Sequence, residues 1–204
     1  DQLSWNLRAK LGYKFKVNSG SEFSLFDPFY DGLFNVVVRC QGHGRILDPG
    51  KYVKALCSHF VEQGGDLIIS EVKDIMLNRN KGPRIFLDSE SINVDQVLVA
   101  AGAWSKTLIK KFRIKTPMES ERGYHLEYIR PNLYPKVSMM VTSKKFVITP
   151  MNDRIRAAGL VEFASLKTGL RRNPIDYLKK SVKELFPDLL YKDIDQWLGH
   201  RPAL

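Results

Sequence analysis

Long apolar runs are missing from these 204 residues: the longest stretch without a charged side chain, Gln96–Ser105, falls far short of the roughly 20 residues that a membrane-spanning helix needs. Cysteine is scarce. There are two, with no CxxC spacing and no Asn-x-Ser/Thr acceptor, which excludes a secreted disulfide scaffold and makes reduced thiols in the cytoplasm the default. His43, His59, His125 and His200 stand at no zinc-ligand spacing with one another or with the cysteines, so no metal site is expected. Neither a GxSxG elbow nor a P-loop occurs. The chain opens Asp1-Gln2-Leu3-Ser4-Trp5, with no initiator Met and no basic-then-apolar signal pattern, and is expected to be a piece of a longer protein.

What is present is ordinary globular composition, 44% apolar and 26% charged, on a length that suits one or two domains. Eleven Phe, eight Tyr and three Trp exclude a disordered chain, because rings in that number must be buried to offset the entropy of ordering. The net charge is +10, but the basic residues are scattered. Their densest cluster, Lys106, Lys110, Lys111, Arg113 and Lys115, lacks the interleaved aromatics of a base-stacking groove, so no nucleic-acid partner is expected.

Leu3, Leu7 and Leu11 have the spacing of a short amphipathic helix over 1–12, and residues 14–45 read as short extended pieces. The clearest helix signal follows. Asp48 offers an N-cap and Pro49 sits at N1. Val53, Leu56, Cys57, Phe60 and Val61 make one apolar stripe, and Gly64-Gly65 supplies the stop. Extended segments are expected at about 67–77 and about 83–88. Val94, Val97, Leu98, Val99 and Ala100 run almost unbroken, as in an interior strand of an α/β sheet, and a helix is expected over about 104–111. The second half changes style. Strands at about 122–129, 137–142, 144–149 and 154–161 follow one another without crossover helices, which favours antiparallel pairing. A helix over about 174–186 has Asn173 as cap, Pro174 at N1, and Leu178, Val182, Leu185 and Phe186 inward.

Gly42-His43-Gly44 fails as a dinucleotide fingerprint, because position 47 is Leu47 and no helix starts at the second Gly. Ala100-Ala101-Gly102-Ala103-Trp104-Ser105 is more informative. Small side chains at the end of a buried strand let backbone N–H groups approach a ligand, although tight strand-to-helix packing asks for the same residues. Arg122-Gly123-Tyr124-His125 and Gly199-His200-Arg201-Pro202 each put an Arg beside a Gly and a His. The planar fork of Arg suits a carboxylate, and a surface Arg at a turn is the plainer alternative. Glu119 with Glu121, and Asp193 with Asp195, read as solvated faces rather than acid/base dyads. These residues by themselves indicate an α/β domain that binds a ligand.

At these same segments the chain resembles the FAD-dependent amine and amino-acid oxidoreductases, the family of D-amino-acid oxidase, glycine oxidase, sarcosine oxidase and D-amino-acid dehydrogenase. Asp48-Pro49-Gly50-Lys51-Tyr52-Val53 through Gly64-Gly65 is similar to the family's DP-x-x-[YF]-helix-GG unit. Gln96 through Ser105 is similar to its VVxAxGAWS strand and loop. Glu121-Arg122-Gly123-Tyr124-His125-Leu126 resembles the RGYH element of the dehydrogenase-like branch. Ile148 to Met151, Arg154 to Phe163, and Trp197-Leu198-Gly199-His200-Arg201-Pro202 complete that branch's pattern in family order.

The resemblance implies an α/β fold with α+β character: part of a glutathione-reductase-type FAD domain plus a mostly antiparallel substrate domain. It implies a lead-in over 1–47, part of the FAD domain over 48–111, the substrate domain over 112–198 and a return toward the FAD domain over 199–204. It implies FAD as cofactor in the complete enzyme, and hydride transfer from an amino acid, a D-amino acid foremost, to flavin, giving an imine that water hydrolyses. Matched residue by residue, Arg201 falls on the substrate-carboxylate ligand, and Tyr124 and His125 on the pocket. Val72 falls on the adenine side, and Ala101, Gly102 and Trp104 on the cofactor loop. No residue is assigned to catalysis. An O2-using glycine- or sarcosine-type oxidase is the alternative enzyme, and a non-catalytic basic module meeting an acidic partner is the alternative class. The electron acceptor stays open between a quinone chain and O2, and so does peripheral association with the inner face of the membrane. The Val94–Ala100 strand lacks a partner in this stretch, so an exposed sheet edge and self-association are expected there.

Neither the family's GxGxxG nor its second glycine-rich segment occurs in the 204 residues, so the chain resembles the middle of such an enzyme. Expressed alone, these residues are expected to be inactive and colourless after dialysis against buffer. Stoichiometric flavin absorbance in the dialysed protein would contradict this.

Overall fold

The computed structural model describes residues 2–78 and 81–204. The chain divides into two compact units. The first takes in the residues up to Pro49, Tyr124–Leu160 and Arg171–Trp197; the second takes in Gly50–Gly123, Val161–Leu170 and Leu198–Leu204.

In the first unit, α1 (Gln2–Lys10) turns Leu3 and Leu7 to solvent. β1 (Phe15–Ser19) pairs antiparallel with β2 (Val36–Cys40), Val17 opposite Val38. The chain between them is not extended as expected: it holds α2 (Gly20–Phe26) and a 3-10 turn at Pro28–Tyr30. A capping box starts α2. The Ser19 hydroxyl accepts from the Glu22 amide, and the Glu22 carboxylate accepts from the Ser19 amide. The Asp27 carboxylate is buried and accepts from the amides of Phe29, Lys136 and Val137, while the Tyr30 hydroxyl donates to the Val137 carbonyl. Phe29 and Tyr30 close against Phe186, ring centroids 4.6 and 6.2 Å away.

A five-stranded sheet has the order β10-β6-β9-β8-β7, from β6 (Glu119–Ile129), β7 (Met139–Val141), β8 (Phe146–Pro150), β9 (Arg154–Phe163) and β10 (Asp193–Ala203). The pairs β7–β8 and β8–β9 are antiparallel, as the absence of crossover helices implied. β3 (Asp74–Asn78), β4 (Gly82–Phe86) and β5 (Ser91–Asn93) belong to the second unit. β6, β9 and β10 each belong in part to both units. Alternation along β6 buries Tyr124, Leu126 and Tyr128 on one face and turns His125 and Glu127 to the other. The helix α5 (Arg172–Leu185), preceded in the chain by α3 (Pro49–Glu62) and α4 (Ser105–Ile109), buries Ile175, Leu178, Ser181 and Val182. It starts two residues earlier than the caps suggested. Arg171 is the N-cap without a side-chain bond, and Pro174 lies in the first turn, where a missing N–H is tolerated. β10 had no sequence counterpart, because its half-exposed face follows no clean alternation.

The second unit contains α3 (Pro49–Glu62) beyond its first residue, then the antiparallel sheet of β3 (Asp74–Asn78), β4 (Gly82–Phe86) and β5 (Ser91–Asn93). A 3-10 turn at Gly102–Trp104, α4 (Ser105–Ile109) and a 3-10 turn at Lys110–Phe112 replace the single helix expected there. Gly64, at φ +90°, turns the chain after α3, and the Gly65 amide donates to the Phe60 carbonyl. The interior strand expected at Val94–Ala100 is absent. The stretch joins no sheet among the described residues, and Leu98 is 91% exposed. The α3 stripe is uncovered in the same way, with Val53, Leu56, Phe60 and Val61 about half exposed. An apolar run marks a strand or helix face that wants covering, and the described residues supply no cover for these two.

Gly159 of β9 lies opposite Phe146 of β8. A Cβ on it would stand 2.6 Å from the Lys145 carbonyl oxygen and 2.6 Å from the Phe146 Cβ. Gly159→Ala is expected to lower the stability of the chain by about 1–3 kcal/mol, read as a shift in urea midpoint. Gly123→Ala, whose Cβ meets nothing within 4 Å, is expected to stay within about 0.5 kcal/mol.

Candidate functional site

In the first unit a charge network occupies the half-buried face of β6 and β9. The Glu127 carboxylate accepts at Oε1 from Arg156 Nε (2.8 Å) and Nη2 (2.5 Å). Its Oε2 lies 2.7 Å from Arg154 Nε, off the N–H line, as a charge contact. Arg154 also reaches Asp153 at 2.7 Å and Asp48 at 3.3 Å, so the expected helix cap Asp48 is drawn to the sheet. His125 stands beside this network, Nε2 3.6 Å from Glu127 Oε1, with its ring stacked on Trp197 at 4.5 Å and 14°. Burial, then the charge of Arg156, pushes the imidazole down to about 4, against the pull of Glu127. At neutral pH it is uncharged, with one nitrogen a donor and the other an acceptor. Tyr124 points the other way, into the interior, and is 2% exposed.

In the second unit Arg201 of β10 meets Glu121 of β6. Glu121 Oε2 accepts from Arg201 Nε at 3.0 Å and Nη2 at 2.5 Å, which raises the guanidinium's pKa further. Glu121 was expected on a solvated face beside Glu119. Glu119 is there, exposed and paired with Lys106 at 2.7 Å, whereas the Glu121 side chain is largely buried. On the other strand face Ser120 Oγ lies 2.8 Å from His200 Nδ1, and the His200 ring meets Trp104 edge-on at 5.3 Å. Arg122 is fully buried. It donates to the Gly169 carbonyl at 2.6 Å and lies 3.4 Å from Glu162, the carboxylate partner that a buried guanidinium requires.

The loop Ala101–Trp104 leaves backbone accessible. Gly102 takes φ +54°, a Cβ there would meet nothing within 4 Å, and Trp104 is half exposed. Among the described residues the amides of Gln96–Ala100 make no backbone–backbone hydrogen bond. Free amides beside open space fit the approach of a flavin nucleotide, and Val72, half-buried just before β3, lies in a similarly irregular extended stretch. Among the described residues no group of three or more His, Cys, Asp or Glu could hold a metal ion, and no helix is long and apolar enough to cross a membrane. The second unit thus holds Arg201, Val72, Ala101, Gly102 and Trp104, and the first holds Tyr124 and His125. Glu121, Glu127, Arg156 and the Trp197 stack carried no residue-level signal beyond their period-two placement on strands.

The family described as FAD dependent oxidoreductase (DAO) matches residues 4–204. The D-amino-acid oxidase of Bradyrhizobium diazoefficiens is 32% identical over 208 residues, covering 100% of this chain and 49% of that protein. A D-amino acid dehydrogenase of Rhizobium rhizogenes is 30% identical over 161 residues, covering 76% of this chain and 38% of its own length. The glycine oxidase of Geobacillus kaustophilus shares the fold, with a TM-score of 0.81 at 17% identity over 97% of this chain and 53% of that one. The chain therefore spans half or less of the curated relatives it matches. It belongs to the DAO family of FAD-dependent oxidoreductases.

Proposed function

We propose that these residues form the substrate domain and part of the FAD domain of an enzyme that oxidatively deaminates an amino acid, a D-amino acid foremost. The observation that carries this is the guanidinium of Arg201, 71% exposed and held by two hydrogen bonds to Glu121, in the unit that also contains the cofactor loop; His200, which meets Trp104, points to the opposite face of β10. FAD, when bound, supplies the hydride acceptor. Arg201 holds the substrate carboxylate with two charge-assisted hydrogen bonds and so orients the substrate. In the first unit, taken by itself, His125 is uncharged and Tyr124 is turned into the core; these are that unit's candidate pocket residues. Val72, Ala101, Gly102 and Trp104 line the cofactor side. The uncovered Val94–Ala100 segment is the candidate surface for self-association. Relatives named as an oxidase and as dehydrogenases favour neither O2 nor another electron acceptor. Peroxide formation measured against dye reduction separates the two.

In the FAD-loaded full-length enzyme, Arg201→Ala is expected to lower kcat/KM for an amino acid roughly 100-fold, and Arg201→Lys to lower it less. The ratio of kcat/KM for the amino acid to that for the matching amine should fall by about the same factor. An equal loss on both substrates would mean that Arg201 does not read the carboxylate.

His125 makes folding sensitive to acid. Its folded value of about 4 lies below the ordinary 6.5, so it is neutral in both states above that range. As pH falls from about 6.5 toward 4, only the unfolded chain takes up the proton, and stability drops by up to about 3 kcal/mol. Urea unfolding at about pH 7 and about pH 4.5 should show this loss, and His125→Gln should remove most of it. A variant that loses as much as the parent would refute the assignment.

A further inference from the structure

We propose that Glu121 is a positioning residue for substrate recognition: it sets the plane of Arg201 so that the free edge of the guanidinium faces the substrate carboxylate. The inference rests on Arg201 as the carboxylate ligand. A guanidinium carries five N–H donors in one rigid plane. Glu121 takes two of them on a single oxygen, Nε at 3.0 Å and Nη2 at 2.5 Å. The two hydrogens of Nη1 and the second of Nη2 remain. One from each nitrogen forms the parallel pair that matches the two oxygens of a carboxylate.

The two partners are not equivalent. The Glu121 side chain is 15% exposed and that of Arg201 71%, so the acid is the fixed end and the guanidinium the presented one. Glu121 stands between Ser120 and Arg122, both buried. Those neighbours are tied down on the opposite strand face, Ser120 to His200 and Arg122 to the Gly169 carbonyl. A free arginine side chain samples many rotamers and must be ordered when it binds. Here that ordering precedes the substrate. The nearby carboxylate also offsets the charge of Arg201, so a substrate is selected by the planar geometry of its carboxylate more than by its charge.

The test uses the FAD-loaded full-length enzyme with Glu121→Gln, Glu121→Ala, Arg201→Ala, Arg201→Lys and the Glu121→Ala/Arg201→Lys double variant. Acetate binding is measured by calorimetric titration, and kcat and KM for an amino acid and its matching amine. Glu121→Gln keeps the shape and one acceptor oxygen and is expected to weaken acetate about threefold; Glu121→Ala is expected to weaken it about tenfold. KM for the amino acid should rise in step while kcat holds, and the amino-acid-to-amine ratio should fall by the same factor. Arg201→Lys should cost less in the Glu121→Ala background than alone, because the oriented fork is already lost. A Glu121 that merely joined β6 to β10 would lower the melting temperature and depress both substrates together, leaving the ratio and the coupling unchanged. That result overturns the proposal, as does unchanged acetate binding in both Glu121 variants. If Glu121→Ala does not fold, Glu121→Gln decides. If Arg201→Ala itself leaves acetate binding intact, the carboxylate assignment of Arg201 fails and Glu121 falls with it. If Arg201→Ala abolishes binding and the Glu121 variants do not weaken it, only Glu121 falls.

Discussion

Glu127 holds the largest concentration of charge in the first unit together. Two guanidinium groups, Arg154 and Arg156, converge on its carboxylate from the neighbouring strand. All three side chains are at least three-quarters withdrawn from water, where an unpaired charge is costly and a paired one tolerable. Asp48 joins the same network through Arg154. The uncharged state of His125 follows from it as well. Burial alone disfavours the imidazolium, and Arg156 adds a like charge that Glu127 only partly offsets. Without that carboxylate, Arg154 and Arg156 would stand side by side on one face of β9, with Asp153 and Asp48 offsetting only Arg154.

A second organising feature is the alternation of β6. Eleven residues long, it sends Ser120, Arg122, Tyr124, Leu126 and Tyr128 to the buried face and Glu121, His125 and Glu127 to the other. Adjacent residues of one motif therefore serve different purposes. In Arg122-Gly123-Tyr124-His125 the Arg and Tyr are interior groups, while the His belongs to the polar face. A motif read as one loop of pocket residues is, in three dimensions, two faces of a strand.

Much of this was legible in the sequence, for reasons that differ from element to element. α5 is legible because Leu178 and Val182 repeat at helical spacing between proline signals, and β8 and β9 because extended segments follow one another without crossover helices. The family followed from motifs in order along the chain. α2 was passed over although Ser19-Gly20-Ser21-Glu22 carries the Ser-x-x-Glu pattern of a capping box. Val94–Ala100 misled because composition reports the covering a segment wants, and the chain can supply that covering only where a partner is at hand. The Glu121–Arg201 pair was out of reach for a deeper reason. Two residues 80 positions apart meet only if the strand register brings them level, and register is a property of the sheet rather than of residue types.

The buried carboxylate of Asp27 bears on how the protein is made. It accepts from the Lys136 amide, 109 residues later in the chain. At a ribosomal rate of about 5–20 residues per second, roughly 5–20 s separate the synthesis of Asp27 from that of its partner. Through that interval the nascent segment carries Phe29 and Tyr30 without the Phe186 ring that later packs on them. This segment is made well before the residues that close over it, and a holding chaperone that binds exposed aromatic chain would find its substrate there.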